Sequence, residues 1–410
     1  MNRRLRRLVL APYHYAWAWF AAFRHGFPAS NLTVIGVTGT KGKSSVAEML
    51  YAILETSGRK TALAGTIRFA IGDESRPNLF KMTLPGRGFI QEFLATAQKK
   101  GCTHAVVEIT SEGALQYRHL GLELDALIFT NLQKEHIESH GSMEHYARAK
   151  FKIGESLAKS RKRPRAIIAN AESSYAAPYL ALPVEAHIPF SFADVEETSI
   201  SENGISFTYK HVLFSIPQPG RFSVENALAA IKAAEWLGVP LATCAQALAA
   251  LTHIPGRAER IDVGQGFLAI VDYAHTPDSL RALYGAFRNR RKICVLGNTG
   301  GGRDTWKRPE MGKIAEESCD MVILTNEDPY DEDPRTIVDA MASGMQRAPD
   351  IILDRREAIR AALRAARTGD AVLVSGKGTD PFIMGASGSK TPWSDARVVR
   401  EELERLLTRN

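Results

Sequence analysis

The stretch Thr33 to Leu50, TVIGVTGTKGKSSVAEML, constrains this chain more than any other. Thr33 to Val37 is short, apolar and β-branched, which reads as a buried strand. After Ser44 the apolar residues fall at Val46, Met49, Leu50, Ile53 and Leu54, at helical spacing, and Gly58 supplies a stop. The turn Thr38-Gly39-Thr40-Lys41-Gly42 therefore joins a strand to a helix N-terminus, where outward N–H groups bind anions. Lys43 can reach the β- and γ-phosphates of a nucleotide, and the Ser44 hydroxyl can ligate Mg2+. Val37 stands where the usual pattern has its first glycine, and Gly39 sits inside the loop instead. The plainer alternative is a glycine-rich turn in any parallel sheet.

With 410 residues the chain has room for two or three domains, and 45% hydrophobic with 24% charged residues is ordinary for a globular protein. Cys102, Cys244, Cys294 and Cys319 show no metal or redox spacing and read as buried thiols. The net charge of +7 concentrates in Arg3, Arg4, Arg6 and Arg7 and in KSRKRPR, Lys159 to Arg165. Neither run is interleaved with aromatics, so no nucleic-acid partner is expected. Lys159 to Arg165 reads as a solvated loop, with attraction to anionic substrates or lipid as the second option. The apolar run from Leu8 to Phe23 is short for a membrane span. Its Pro12, His14, Trp17 and Trp19 suit a membrane interface, or else the helix packs on the protein's own core.

Strand and helix alternate along the chain. HAVVEIT, ALIFTNL and RAIIANA are strand candidates. EETSISENGISFTYKHVLFSIP reads as an antiparallel hairpin about Asn203-Gly204, and Ser223 to Trp236 and Leu241 to Leu251 as helices. THIPGRAERID, Thr252 to Asp262, looks like a junction. After it, FLAIVDY, KICVLGN, MVILTN, DIILD and AVLVSG form a second parallel sheet. The expectation is an α/β protein with a basic, aromatic amphipathic segment over residues 1–30, a central nucleotide-binding domain over 31–255 and a smaller Rossmann-like α/β domain over 256–410. A functional crevice is expected between the sheets, at strand C-terminal ends.

Polar residues gather at those ends. Glu108 closes one strand, with Ser111, Gln116 and Arg118 beyond it. Glu135, His136, Glu138 and His140 follow another, and Lys150 lies on the next helix. In the second half, Asp272 and His275, then Arg303, Asp304, Lys307 and Arg308, then TNEDPYDEDP with Asp328 and Tyr330, then SGKGTD with Gly376 and Asp380 occupy successive strand ends. Each loop alone is a weak signal, but four on one sheet point to a site.

Together, GVTGTKGKSS, FTNLQKEHIESHG with YARAK, VDYAHTPDSL, RDTWKRPEMG and SGKG resemble the Mur ligases, ATP-dependent amide ligases of cell-wall precursor synthesis, from about Leu32 to the C-terminus. The likeness is greatest to the type that adds a diamino acid to UDP-N-acetylmuramoyl-L-alanyl-D-glutamate. The resemblance implies a P-loop ATPase domain in which Gly39, Thr40, Lys41, Gly42, Lys43, Ser44 and Ser45 cradle ATP phosphates and Asn226 contacts adenine. Arg257, Asp272 and His275 complete the nucleotide site. Two Mg2+ ions are implied, held through Ser44, Glu108, His136 and a carbamate on Lys150, with Lys43, Lys150, His136 and Arg257 as the catalytic set. Thr83, Ser111, Gln116 and Arg118 match acyl-substrate positions, and Asp328, Tyr330, Gly376 and Asp380 amino-acid positions. The implied reaction phosphorylates a carboxylate, and an amine then attacks the acyl phosphate.

Departures from the family pattern bear on the substrate. Only about thirty residues precede the loop, where the family has a uridine-nucleotide domain. Glu112 stands at a histidine, EHIE replaces Asp-His-Leu-Asp, EDPY replaces Asp-Asn-Pro-Arg and GKGTD replaces Gly-Lys-Gly-His-Glu. Tyr330 cannot supply the fork with which an arginine pairs a distal carboxylate. The incoming residue is therefore expected to be lysine or ornithine, unless Arg303 or Arg308 restores that contact. Rival readings are a folate or polyglutamate type of ligase and a catalytically silent, membrane-associated nucleotide-binding partner. The remaining expectations are a monomer in the cytoplasm, acting on a small amino acid and a peptidoglycan precursor, with residues 1–28 against the membrane's cytoplasmic face.

Overall fold

The computed structural model describes residues 3–86, 88–135 and 137–408. It divides into two compact units, Met1–Thr198 with Ser206–Ile216 and Phe222–Leu251, and Ser199–Ile205 with Pro217–Arg221 and Thr252–Asn410.

The first unit opens with helix α1 (Arg3–Arg24), followed by β1 (Thr33–Thr38), α2 (Lys43–Thr56), β2 (Thr61–Ala64), β3 (Arg68–Ile71), β4 (Glu74–Pro77), α3 (Phe89–Lys99), β5 (His104–Glu108), α4 (Ser111–Leu115), β6 (Ala126–Phe129), α5 (Ile137–His140), α6 (Met143–Lys159), β7 (Ala166–Asn170), α7 (Ala176–Leu180) and β8 (Ala186–Phe190). The eight strands form one sheet in the order β4-β3-β2-β5-β1-β6-β7-β8. The β2–β3 and β3–β4 pairs are antiparallel and the other neighbours parallel. Strands β1, β5, β6 and β7 are almost wholly buried. Helices cover both faces, so these segments read as continuous apolar runs rather than alternating ones. β1 lies between β5 and β6, with Val37 beside Glu108 and Thr38 beside Phe129. The turn after β1 therefore opens between the ends of β5 and β6, at a reversal of strand order.

The expected hairpin is a three-stranded meander, β9 (Glu196–Ser201), β10 (Gly204–Tyr209) and β11 (Val212–Ile216). Its second turn, Lys210-His211, has φ of 47° and 64°. A two-residue turn with both φ positive is the usual hairpin geometry, but it is normally written with Asn or Gly, so the sequence carried no signal for it. α8 (Arg221–Trp236) and α9 (Leu241–Ala250) follow, close to the expected ranges.

The second unit holds β12 (Glu259–Ile261), β13 (Leu268–Asp272), α10 (Pro277–Ala286), β14 (Lys292–Leu296), α11 (Lys307–Ser318), β15 (Met321–Leu324), α12 (Pro334–Ala342), β16 (Asp350–Ile351), α13 (Arg355–Ala365), β17 (Ala371–Ser375), β18 (Phe382–Met384), β19 (Lys390–Pro392) and α14 (Asp395–Leu407). Its main sheet runs β12-β13-β17-β14-β15-β16, parallel except for β12. Separate apolar clusters pack on its two faces. The expected α/β fold is borne out, but four free thiols are not. Cys294 in β14 and Cys319 after α11 form a disulfide, their Cα atoms 6.2 Å apart, while Cys102 and Cys244 are buried thiols. The pair is made by α11 returning the chain to the neighbouring strand, which residue spacing does not reveal.

Helix α1 turns Ala11, His14, Ala18, Ala21 and Ala22 inward and leaves Tyr13, Trp17, Trp19, Phe20 and Phe23 exposed. Among the described residues no helix is long and apolar enough to cross a membrane.

Candidate active site

The loop after β1 needs both of its glycines. Gly39 has φ 147°, and a Cβ there would lie 1.9 Å from the Thr130 hydroxyl oxygen. Gly42 has φ 83°, and a Cβ would lie 2.3 Å from Asn226 Oδ1. Residues just beyond β6 hold the loop. The Thr40 N–H donates to Asn131 O at 2.9 Å and the Lys41 N–H to Asn131 Oδ1 at 3.0 Å, while the Thr130 hydroxyl donates to Lys41 O at 2.6 Å. The Thr40 hydroxyl lies 3.2 Å from the Tyr146 hydroxyl on α6. Gly42 caps α2 with no side-chain hydrogen bond. An α2 N-terminus left in this way, directly after a glycine loop, suits an anion.

Two lysines converge on that loop. Lys43 Nζ donates to Gly39 O at 3.1 Å and Thr40 O at 3.0 Å. Lys150 Nζ, fully buried on α6, donates to Gly39 O at 2.6 Å. Burial, then the charge of Lys43, pushes the Lys150 amine well below the usual lysine range, with Glu135 opposing. Lys41 pairs instead with Glu135 at 3.2 Å.

Glu108, 1% exposed at the end of β5, accepts the Ser44 hydroxyl at 3.0 Å, the Thr66 N–H at 2.8 Å and the Thr66 hydroxyl at 2.9 Å. The Thr66 hydroxyl in turn meets the Thr83 hydroxyl at 2.8 Å. Ser44, Glu108, Thr66 and Thr83 thus form one chain of oxygens from the phosphate loop outward. That donor set fits Mg2+, which binds through one or two carboxylates and completes its shell with phosphate oxygens and water. His136 lies outside the described residues, and among those described no three His, Cys, Asp or Glu side chains gather as a metal cluster.

Ser111, Gln116 and Arg118 come together around α4. Gln116 Nε2 donates to Glu112 Oε1 at 2.7 Å, and Arg118 donates to Gln116 Oε1 and to Leu84 O, each at 2.5 Å. Ser111 is buried in the first turn of α4. Thr66, Thr130, Asn131 and Tyr146 were missed by sequence reasoning. The polar Thr130-Asn131 pair directly after an apolar strand was the available signal for two of them.

In the second unit Arg257, Asp272 and His275 surround Tyr273. Asp272, ending β13, accepts the N–H groups of Ala258 and Ala274, each at 2.6 Å. His275 Nδ1 donates to Tyr273 O at 2.6 Å. The Arg257 guanidinium lies 4.7 Å from the Tyr273 ring centroid. The residues matched to amino-acid binding surround Lys377. Its Nζ meets Asp328 at 2.8 Å, Asp380 at 3.3 Å and Phe382 O at 2.6 Å. Burial opposes its charge, yet Asp380, Asp328 and Glu327 hold the ammonium above the ordinary lysine range. Asp328, 2% exposed, also accepts the Met384 N–H, so it anchors Lys377 instead of lining an open acidic pocket. Gly376 has φ 109°, and a Cβ there would meet Glu327 Oε2 at 2.3 Å. Burial, then Asp328, raises the Glu327 carboxyl. Arg308 is buried and forked onto Glu332, whereas Arg303 is exposed, 4.9 Å from the Tyr330 ring centroid.

Residues 37–234 match the Mur ligase middle domain, and residues 256–378 match the Mur ligase, glutamate ligase domain. The chain is 36% identical over 404 residues to the UDP-N-acetylmuramoyl-L-alanyl-D-glutamate–2,6-diaminopimelate ligase of Caldanaerobacter subterraneus subsp. tengcongensis, covering 95% of this chain and 81% of that protein. It is 34% identical to the UDP-N-acetylmuramyl-tripeptide synthetase of a Roseiflexus species, covering 98% and 82%. A solved UDP-N-acetylmuramoyl-L-alanyl-D-glutamate–2,6-diaminopimelate ligase superposes with a TM-score of 0.61 at 30% identity, over 92% of this chain and 79% of that one. The Mycobacterium tuberculosis folylpolyglutamate synthase shares the fold, with a TM-score of 0.72 at 16% identity over 92% and 97%. These matches bear out the resemblance drawn from the motifs: the chain belongs to the Mur ligase family, ATP-dependent ligases that form amide bonds.

Proposed function

We propose that this chain extends the peptide of a peptidoglycan precursor by one diamino acid, at the cytoplasmic face of the membrane. The observation that carries the reading is the convergence of Lys43 and Lys150 on Gly39, beside the Ser44–Glu108 pair. Three anions must meet in this reaction, so preorganised cations and donors supply most of the catalysis. The precursor carboxylate takes the γ-phosphoryl group of ATP and ADP departs. The amine nitrogen then attacks the acyl carbon, phosphate leaves with the C–O bond electrons, and the nitrogen loses a proton.

Lys43 would hold the β- and γ-phosphates, and Asn226, Arg257, Asp272 and His275 the rest of the nucleotide. Ser44 and Glu108 would hold one Mg2+, which neutralises phosphate charge when bound, with His136 and Lys150 serving a second. The Lys150 amine, driven toward its neutral form by burial, is suited to add to CO2 and lose a proton, giving a carbamate. Arg118, Gln116, Ser111 and Thr83 would receive the acyl substrate. In this reading the chain acts as a monomer, and α1 contributes a peripheral membrane contact.

The names of the relatives favour 2,6-diaminopimelate over the lysine or ornithine expected from Tyr330. Arg303 at the Tyr330 ring would then supply the distal-carboxylate contact, since Arg308 is forked onto Glu332. The test is phosphate release across UDP-muramoyl peptides and lipid-linked precursors, each crossed with meso-diaminopimelate, lysine and ornithine. The expected result is a meso-diaminopimelate preference that Arg303→Ala erases. Phosphate release with no precursor, or a preference that Arg303→Ala leaves unchanged, overturns the assignment at issue.

A further inference from the structure

Helix α1 packs its small residues and shows its rings. Cβ atoms at Gly88 and Gly121 would lie 2.9 and 3.0 Å from those of Ala21 and Ala22, so the helix rests closely on the first unit through alanine. On the outward side Tyr13, Trp17 and Phe20 form a continuous ladder, with ring centroids 6.2 and 5.6 Å apart. Trp19 leans on Phe27, and Phe23 is 73% exposed. Burying a large apolar side chain is strongly favourable, so a helix that forgoes this for several rings presents them to something else.

The apolar surface continues past α1. The Trp17 indole nitrogen lies 3.9 Å from the Cβ position of Gly88. The next residue, Phe89, has its ring 5.0 Å from that of Phe80, and Leu79, Phe80 and Met82 are all exposed. Met82 Sδ lies 3.7 Å from Arg118 Nη1, and the positive charge of Arg118 reaches His14 on the inner face of α1. Arg118 therefore touches the loop at residues 79–82 and acts electrostatically on α1.

Charge selects the occupant of this surface. The first two turns of α1 carry Arg3, Arg4, Arg6 and Arg7, Lys81 lies in the loop, and Arg3–Arg24 contains no acidic residue. A second copy of this chain would set like charges against each other. Exposed aromatic rings on a helix whose sequence is basic and free of acid match the interface of an anionic bilayer.

We propose that the ring ladder of α1 and the Leu79–Met82 loop form one docking surface for an anionic bilayer, and that it holds Arg118 at the lipid surface, where a bilayer-anchored acyl substrate can reach it. The role given to Arg118 rests on the ligase reading, whereas the docking itself does not. Co-sedimentation of the full chain, without substrates, with vesicles of phosphatidylglycerol and phosphatidylcholine or of phosphatidylcholine alone separates the two. The wild-type chain should bind the anionic vesicles and lose them in high salt. Trp17→Ser with Phe20→Ser should lower partitioning by about tenfold or more. Leu79→Ser, on an exposed loop, should lower it several-fold, with phosphate release from a soluble UDP-linked precursor unchanged in both variants. Absence of wild-type binding to anionic vesicles, equal binding by the variants, or a lipid-free dimer that the same variants abolish would overturn the proposal. A failed ligase assignment would appear only in the phosphate-release arm.

Discussion

Lys150 is a buried amine that donates to Gly39 O, within the loop assigned to ATP. Carbamylation would convert it to an anion next to a metal, so Lys150→Ala should lower turnover by roughly a hundredfold or more. Added formate or acetate should restore part of the rate, and full activity of the alanine variant would leave Lys150 as a packing residue. His119 gives a pH prediction. It is 4% exposed, and burial, then Lys152, lowers its pKa from 6.5 to about 4. Above pH 6.5 the ring is neutral both folded and unfolded, and there is no penalty. As the pH falls below 6.5 the unfolded chain takes the proton first, so stability declines until about pH 4, where the folded chain protonates too. The loss should approach about 3 kcal/mol in denaturant titrations, and His119→Leu should lack that component. Neither behaviour was legible in the sequence. Lys150 could be named from YARAK, but its lowered pKa depends on burial beside Lys43, and His119 carried no motif.

At the scale of elements, strands and helices were legible wherever apolar runs were long, as in β1, β5, β6, β7 and β17, because both faces of a parallel sheet demand continuous apolar residues. The β10–β11 turn was not, because Lys210 and His211 adopt positive φ without the residue types that announce it. The crossing of α11 and α12 was equally silent. A Cβ at Gly312 would lie 2.0 Å from Met341 O, and one at Gly344 1.9 Å from Pro309 O. The two helices approach until backbone meets backbone, and no flexible side chain can yield. Gly312→Ala should therefore cost about 3 kcal/mol or more by overpacking, read as a lower denaturant midpoint at unchanged slope. An unchanged midpoint would mean that the helices can part at little cost.

For the whole molecule, a ligand bound only by the folded state adds to stability as its concentration rises above its Kd. Mg·ATP should raise the melting temperature of the wild-type chain, and the rise should largely vanish in Lys43→Ala, which should also fail to turn over ATP while keeping its unliganded melting temperature. An equal rise in both proteins would remove Lys43 from the phosphate site. The sequence by itself determined the α/β class, the strand–loop–helix around Gly39 and Gly42, and the Mur ligase motifs. Each of these is local, written in residues adjacent along the chain and dictated by φ, periodicity or phosphate geometry. Only the tertiary structure decided which distant groups meet: Thr130 and Asn131 bracing the loop, Thr66 linking Ser44 and Glu108 to Thr83, Asp328 anchoring Lys377, and Cys294 joined to Cys319. It also decided that α1 packs its alanines and exposes its rings. These outcomes depend on strand order and on which face of each element is covered, and neither is written in any short stretch of residues.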